Sequence, residues 1–543
     1  MKPLVLAANM GFAGLNTSAW LRYRRALRHP RRVQSAMLRR YLARNAETVF
    51  GREHGFASIR SIEEYRARVP VRDYDQNEHY IARIVAGERG VLTREEVEVL
   101  EWSSGSTRAA KLIPFTRSLR SEFARSVGSW VTEIFARDPK LMSGPAYWSV
   151  SPAHAPPEVP GAAVPIGPLE DAQYLGGRLA RLIDVTLAVP GSVSRIRDPE
   201  LHRRATLLHL LASRELTLIS VWHPSFLTLL VEALLRDWDA LLSALTEGSG
   251  RSERPLRFEP RAARARELSR IDPSDPKAIW PRLALISCWT HGPARRPAEE
   301  LRALFPGVRI QGKGLLATEG IVSLPFGSSH PLALTSHFFE FVDGNDRARA
   351  AWELEEGEEY SVVLTTGGGL YRYALHDRVR VTGFLHDTPC LAFLGKDDHL
   401  SDLCGEKLSQ GFVQAVVDRV LRAHGVSADF AMLAPEEGSP RPRYVLYVAA
   451  RDQLPESLER ELEGGLRANP HYAHCAALGQ LGRAGVVPVA GDAPHRYMEH
   501  LAASGQRIGD IKPVALSPMT EWGRIFRPSP FDPAQPSRRG PGG

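Results

Sequence analysis

Cysteine is scarce in this chain: four in 543 residues, at positions 288, 390, 404 and 475, with no Cys-x-x-Cys among them. That spacing excludes a disulfide framework or a zinc ribbon and points to reduced thiols. His471, His474 and Cys475 crowd together in NPHYAHC, but no second cluster stands at ligand spacing, so they read as chance neighbours. No apolar run approaches the roughly 20 residues needed to span a bilayer, so no membrane partner is expected. Internal repeats are absent as well. The opening MKPLVLAANMGFAGL mimics a signal-peptide core, yet its basic residues follow rather than precede it, and Asn9 and Gly11 interrupt it. We read it as an N-terminal helix packed on the body of a cytoplasmic protein. Acidic residues are missing from one stretch in particular: Arg22, Arg24, Arg25, Arg28, Arg31, Arg32, Arg39, Arg40 and Arg44 run with none between them. Apolar residues punctuate that stretch as in amphipathic helices with solvated basic faces. Without an aromatic-studded groove or a recognisable module, it gives no reason to expect nucleic acid as a partner.

What is present describes a globular protein, 43% apolar and 24% charged, long enough for two or three domains. Residues 17–50 look helical, 62–87 mix helix and loop, and 154–168 form a Pro-rich loop. In 119–136 Leu119, Phe123, Val127, Trp130, Val131 and Ile134 recur at helical spacing, which predicts one buried helix face. Helices at 199–213 and 224–246 bracket the strand LTLISVW. The strand RLALISCW, a helix at 297–305 and the strand VRIQG continue an alternation that implies a parallel sheet between helices. From about 335, short adjacent strands with Gly-rich turns predict an antiparallel, barrel-like sheet. A helix at 409–424, strands DFAMLAP and RYVLYVA, and a helix at 455–468 make a small α+β domain. The expected class is α/β, with mixed or parallel sheets between helices, the antiparallel sheet, and a small mobile C-terminal domain. The expected boundaries are 1–395, a hinge at 396–402, 403–525, and a Pro- and Gly-rich tail at 526–543.

Four stretches carry candidate chemistry. SSGSTRAAK (103–111) follows a β-prone segment and precedes the apolar LIPFT. It supplies what an anion-binding loop needs: small side chains, backbone N–H groups, hydroxyls and a lysine. It is not GxxxxGK[ST], since it has one glycine and Leu112 follows the lysine. GLLATEG (314–320) places Glu319 after the hydroxyl of Thr318. YRYALHDRVRV (371–381) predicts Asp377 in a turn between two strands. GQRIGDIKPVAL (505–516) places Lys512 in a loop kept extended by Pro513. Taken singly, Glu319 could cap a helix, Asp377 is an ordinary turn aspartate, and Lys512 competes with Lys407 in GEKL.

Their order resembles that of adenylate-forming ligases, and more closely the Gretchen Hagen-three (auxin-responsive promoter) family of acyl acid–amido synthetases. The resemblance runs almost end to end, through YIARIVAGE (80–88), VWHPSF (221–226), the IWP and SCW segments, FEF (339–341), GLYRY (369–373) and FLGKDDHLSDLCGEKL (393–408). It implies ATP and Mg²⁺ as cofactors, with Ser104, Gly105, Ser106, Thr107 and Lys111 at the phosphates. It further implies Thr318 near the nucleotide and acyl group, Glu319 as catalytic Mg²⁺ ligand, and Asp377 on the ribose hydroxyls. Lys512 becomes the catalytic lysine that swings to the α-phosphate as the small domain turns about a hinge containing Lys396, Asp397 and Asp398. The reaction implied is adenylation of a carboxylic acid, of aromatic or medium-chain type, followed by transfer to an amine, an amino acid above all. Transfer to coenzyme A or a carrier thiol, and a degenerate binding protein, are the alternatives. Three positions depart from the family pattern: Ala109 for a glycine in the phosphate loop, Leu315 for a tyrosine that stacks on adenine, and His376 for the glycine before the aspartate.

Overall fold

The computed structural model describes residues 3–103, 111–149, 159, 161–167, 184–196, 198–248, 258–291, 294–396, 400, 401, 403, 406, 408–436, 441–477, 481–504, 506 and 511–526. The chain forms two compact units, Met1–Leu394 and Gly395–Gly543. Among the described residues no helix is long and apolar enough to cross a membrane.

In the first unit the N-terminal stretch is one helix, Pro3–Ala26, and the expected helix at 17–50 is broken. Pro30 has no N–H to continue the first helix, so it starts a second, Pro30–Asn45. Val5, Ala8 and Phe12 turn one face inward, and the helix packs on Arg117–Arg137. The two approach closely at Gly128, where an added Cβ would lie 2.1 Å from the Asn16 side-chain oxygen. Arg117–Arg137 is capped by Thr116, whose hydroxyl accepts the Leu119 N–H at 3.2 Å. The expected helix at 224–246 is likewise two, Pro224–Arg236 and Trp238–Glu247.

Strands β1 (Val97–Ser103) and β2 (Lys111–Thr116) form an antiparallel pair. The parallel sheet is four-stranded, in the order β3 (Ala146–Trp148), β4 (Leu218–Ser220), β5 (Leu285–Cys288), β6 (Arg309–Gly312). Both central strands, β4 and β5, are wholly buried, as apolar runs flanked by helices require. After a small hairpin of β7 (Leu316–Ala317) and β8 (Gly320–Ile321) comes the antiparallel sheet. It comprises β9 (Phe338–Val342), β10 (Ala348–Ala350), β11 (Glu359–Thr365), β12 (Tyr373–Leu385) and β13 (Thr388–Lys396), in the order β10-β9-β11-β12-β13.

The second unit holds β16 (Ala428–Glu436) antiparallel to β17 (Arg443–Ala450) and β18 (Gly485–Pro488) parallel to it, preceded by the short pair β14 (Leu400–Ser401) and β15 (Leu408–Ser409). Helices Gln410–Ala423 and Ser457–Leu466 bury Val413, Val417, Leu458 and Leu462 in its core. A last helix, Trp522–Phe526, buries both its end residues, so Phe526 is core rather than tail; the rest of the expected tail lies outside the described residues.

Candidate active site

The hydroxyl-rich stretch connects two paired strands: Ser103 ending β1 faces Lys111 opening β2. Ser104, Gly105, Ser106, Thr107 and Ala109 lie outside the described residues; Lys111 is half-buried. The next residue, Leu112, donates its N–H to Tyr74 Oη at 2.9 Å, which fixes the exit of the loop.

Thr318 and Glu319 are the two central residues of the tight hairpin between β7 and β8, where Ala317 faces Gly320. The Glu319 carboxylate is 8% exposed, and its Oε1 accepts a hydrogen bond from Tyr373 Oη at 3.4 Å. Burial, then the charge of Glu319, then Tyr74, push the Tyr373 phenol well above its ordinary pKa, so it stays a donor. Tyr373 opens β12 and lies beside Arg72 in a parallel bridge, so Arg72, Asp73 and Tyr74 are carried to the same strand end. Leu315 is a core residue here: its side chain is buried, and its N–H donates to Ser323 Oγ at 3.0 Å. Position 315 therefore offers no aromatic platform.

Asp377 is not in a turn between two strands. It sits inside the single strand β12, at a bulge where the register steps from Ser361–Arg378 to Val363–Ala374, so that four residues of travel on β12 oppose two on β11. Bulges re-aim side chains and sharpen local twist. Here the device includes His376 at φ +60°, the left-handed region where a glycine costs nothing and a histidine is strained. The Asp377 side chain is 2% exposed. Arg372, just before β12, is also left-handed (φ +46°). Its Nε lies 2.9 Å from Glu340 Oε2, while Arg66 Nε lies 2.9 Å from Glu340 Oε1. Arg372 also donates to the carbonyls of Arg66 and Val69. The buried carboxylate of FEF is thus held between the guanidinium of Arg372, in GLYRY, and that of Arg66, bracing the start of β12.

At the C-terminal ends of β3–β6, the edge where open parallel sheets bind ligands, aromatic side chains gather. Trp222 and Trp289 lie with ring centroids 5.6 Å apart. Lys313, directly after β6, is 3% exposed, and its Nζ donates to Ser220 Oγ at 2.5 Å. The ammonium lies 4.9 Å from the ring of Trp222, 5.0 Å from that of Trp130 and 5.5 Å from that of Trp148. A cavity of about 10 Å³ beside it is lined by Trp130, Lys313, Leu316 and Ile321, which joins this cluster to the Thr318–Glu319 hairpin.

Lys512 belongs to the second unit. Its side chain is exposed and its carbonyl accepts from Tyr497 Oη at 3.0 Å, between the buried Ile511 and Ala515. Asp397, Asp398, Cys404 and Lys407 lie outside the described residues, as does the side chain of Lys396, whose backbone ends β13. Among the described residues no group of three or more His, Cys, Asp or Glu side chains gathers to hold a metal. A lone carboxylate at Glu319 suits Mg²⁺ that keeps most of its ligands as phosphate oxygens and water. Sequence reasoning missed Tyr74, Tyr373, the Arg66–Glu340–Arg372 triad and Lys313. GLYRY and FEF flagged two of these regions without assigning roles.

Profiles of the GH3 family N-terminal, central and C-terminal domains match residues 21–310, 330–396 and 411–521. The chain is 24% identical to a "Probable indole-3-acetic acid-amido synthetase GH3.12" of Oryza sativa subsp. japonica, over 92% of this chain and 93% of that protein. It is 23% identical to a "Jasmonoyl--L-amino acid synthetase JAR6" of Nicotiana attenuata, over 71% and 73% respectively. In fold it is similar to the acyl acid amido synthetase AtGH3.15 in complex with 2,4-DB, with a TM-score of 0.81 at 18% identity over 94% of this chain and 95% of that one. A 2-hydroxyisobutyryl-CoA ligase in the postadenylation state shares the fold more loosely, with a TM-score of 0.51 at 13% identity over 90% of each chain.

Proposed function

The chain belongs to the GH3 family, and from that premise we propose that it is an ATP-dependent acyl acid–amido synthetase. It adenylates a carboxylic acid and passes the acyl group to an amine, an amino acid above all. The observation that carries the reading is the hydrogen bond from Tyr373 Oη to Glu319 Oε1. It ties the Thr318–Glu319 hairpin to the strand that carries Asp377 four residues later, which supports reading the two as the phosphate-side and ribose-side residues of one site.

In this reading Asp377 accepts both ribose hydroxyls, a task for two acceptor oxygens on one fixed group. Lys111 and the hydroxyl-rich loop before it receive the phosphates, and Thr318 lies near the nucleotide and acyl group. Glu319 would hold Mg²⁺, which would offset phosphate charge when bound. A carboxylate oxygen of the acid attacks the α-phosphorus, the bond to pyrophosphate breaks, and an acyl-adenylate forms. The amine then attacks the activated carbonyl, loses a proton, and AMP leaves. Lys512 serves the first step by stabilising charge on the α-phosphate, brought there by a turn about 396–402 that includes Lys396, Asp397 and Asp398. The tryptophans around Lys313 line the acyl end, which favours an acid with an aromatic or extended apolar body.

Carboxylate-dependent ATP–pyrophosphate exchange, screened over aromatic and fatty acids without amine, tests the reading. Exchange with one acid class is expected, followed by AMP release when amino acids, rather than coenzyme A, are added. Absence of both exchange and ATP binding would overturn it.

A further inference from the structure

Glu122 and His337 stand 215 residues apart in sequence, yet Glu122 Oε2 lies 3.0 Å from His337 Nδ1. They are 1% and 0% exposed. The imidazole is packed edge-on to Phe123 and Phe339, so both groups survive there only with their hydrogen bonds satisfied. His337 Nε2 faces the Ile321 N–H at 3.1 Å. A backbone N–H only donates, so Nε2 is the acceptor and the ring proton is on Nδ1, given to Glu122. Glu122 also accepts the Gly367 N–H on Oε2 at 3.0 Å and Tyr41 Oη on Oε1 at 2.7 Å. The histidine backbone is itself clamped: buried Gln34 donates to the His337 carbonyl at 2.7 Å and accepts the Phe339 N–H at 2.8 Å. A second contact supports the same geometry, since a Cβ at Gly320 would lie 2.7 Å from His337 Nε2. The hairpin glycine rests against the ring.

One carboxylate–imidazole pair therefore holds two backbone segments. Ile321 directly follows Thr318-Glu319-Gly320. Gly367 lies in the connection from β11 to β12, which leads into Tyr373 and Asp377. We propose that His337, oriented by Glu122, is a positioning residue of the nucleotide site. It sets the Thr318–Glu319 hairpin so that the Glu319 carboxylate meets Mg²⁺ on the ATP phosphates, and Glu122 keeps that hairpin in register with the segment bearing Asp377. The inference rests on the reading of Thr318–Glu319 as the Mg·ATP element.

The test compares full-length wild type with His337→Gln, His337→Asn and Gly320→Ala. Glutamine places an acceptor oxygen where Nε2 stands; asparagine reaches only to Nδ1 and leaves the Ile321 N–H unmet. ATP binding is measured calorimetrically with Mg²⁺ and with EDTA, alongside thermal melting. We expect His337→Asn and Gly320→Ala to lose roughly tenfold or more of the Mg²⁺-dependent affinity. Their affinity in EDTA should stay within about twofold of wild type, and His337→Gln should restore the Mg²⁺ response. The inference is overturned if the asparagine variant keeps the wild-type Mg²⁺ response, or if all variants weaken equally with and without Mg²⁺. If His337→Asn does not fold, Gly320→Ala decides by the same criterion. Wild type that binds no ATP under either condition would sink the parent reading, and this inference with it, whereas normal wild-type binding isolates the role of His337.

Discussion

Asp377 offers the sharpest test of the nucleotide site. It is 2% exposed at a bulge of β12, on a backbone that His376 bends through φ +60°, so its carboxylate has little freedom to reorient. A hydrogen bond to a charged acceptor contributes about 1.5–3 kcal/mol, and every 1.4 kcal/mol is roughly tenfold in affinity. Two ribose hydroxyls on one carboxylate then predict that Asp377→Ala weakens ATP binding by about 10²–10⁴-fold. Asp377→Asn, with one acceptor oxygen left, should fall between. The decisive measurement pairs each protein with ATP and 2′-deoxy-ATP in calorimetry and in pyrophosphate exchange. Wild type should prefer ATP by about 10–100-fold, the value of one such bond, while Asp377→Ala should bind the two alike. A variant that retained the wild-type preference would show that Asp377 does not read the 2′-hydroxyl. Equal loss of ATP and 2′-deoxy-ATP with a collapsed melting transition would mean that the substitution had only disturbed the bulge.

The other consequences are quickly stated. Glu340→Ala leaves the buried Arg372 and the half-buried Arg66 without their shared carboxylate and should cost about 3–5 kcal/mol in urea unfolding; a loss below about 1 kcal/mol would refute the bracing role. His376→Gly removes a left-handed strain of about 1–2 kcal/mol against an entropy cost of about 0.5–1, so its melting temperature should rise slightly, whereas His376→Val should lower it. Burial, aided at His209 by the Arg261 charge and at His291 by His330, holds the rings of His209 and His291 down to about 4 from 6.5. Both stay neutral in the folded chain while the unfolded chain takes up protons, so their contribution to stability should fall as pH drops from about 6.5 to 4 and level off below. His209→Leu should shrink that fall, and an unchanged pH profile would contradict it. Lys512→Ala should slow exchange by roughly 10²–10³-fold with little change in ATP affinity; full activity there together with an inactive Lys407→Ala would move the role to Lys407.

The sequence by itself determined the class, because apolar runs alternating with helical periodicity leave few packings other than a parallel sheet between helices. It also determined the order of the chemical stretches, since SSGSTRAAK, Thr318-Glu319, Asp377 and Lys512 are local clusters whose residue types are unusual for their surroundings. Tertiary structure alone decided what each one touches. YRYALHDRVRV reads as strand, turn, strand because a histidine and an aspartate normally mark a turn, yet pairing with β11 and β13 drew it into one bulged strand. Glu319 and Tyr373 lie 54 positions apart, and Glu122 and His337 215 apart. No local pattern announces such pairs, because a hydrogen bond between distant side chains exists only once the core has set the backbones that carry them.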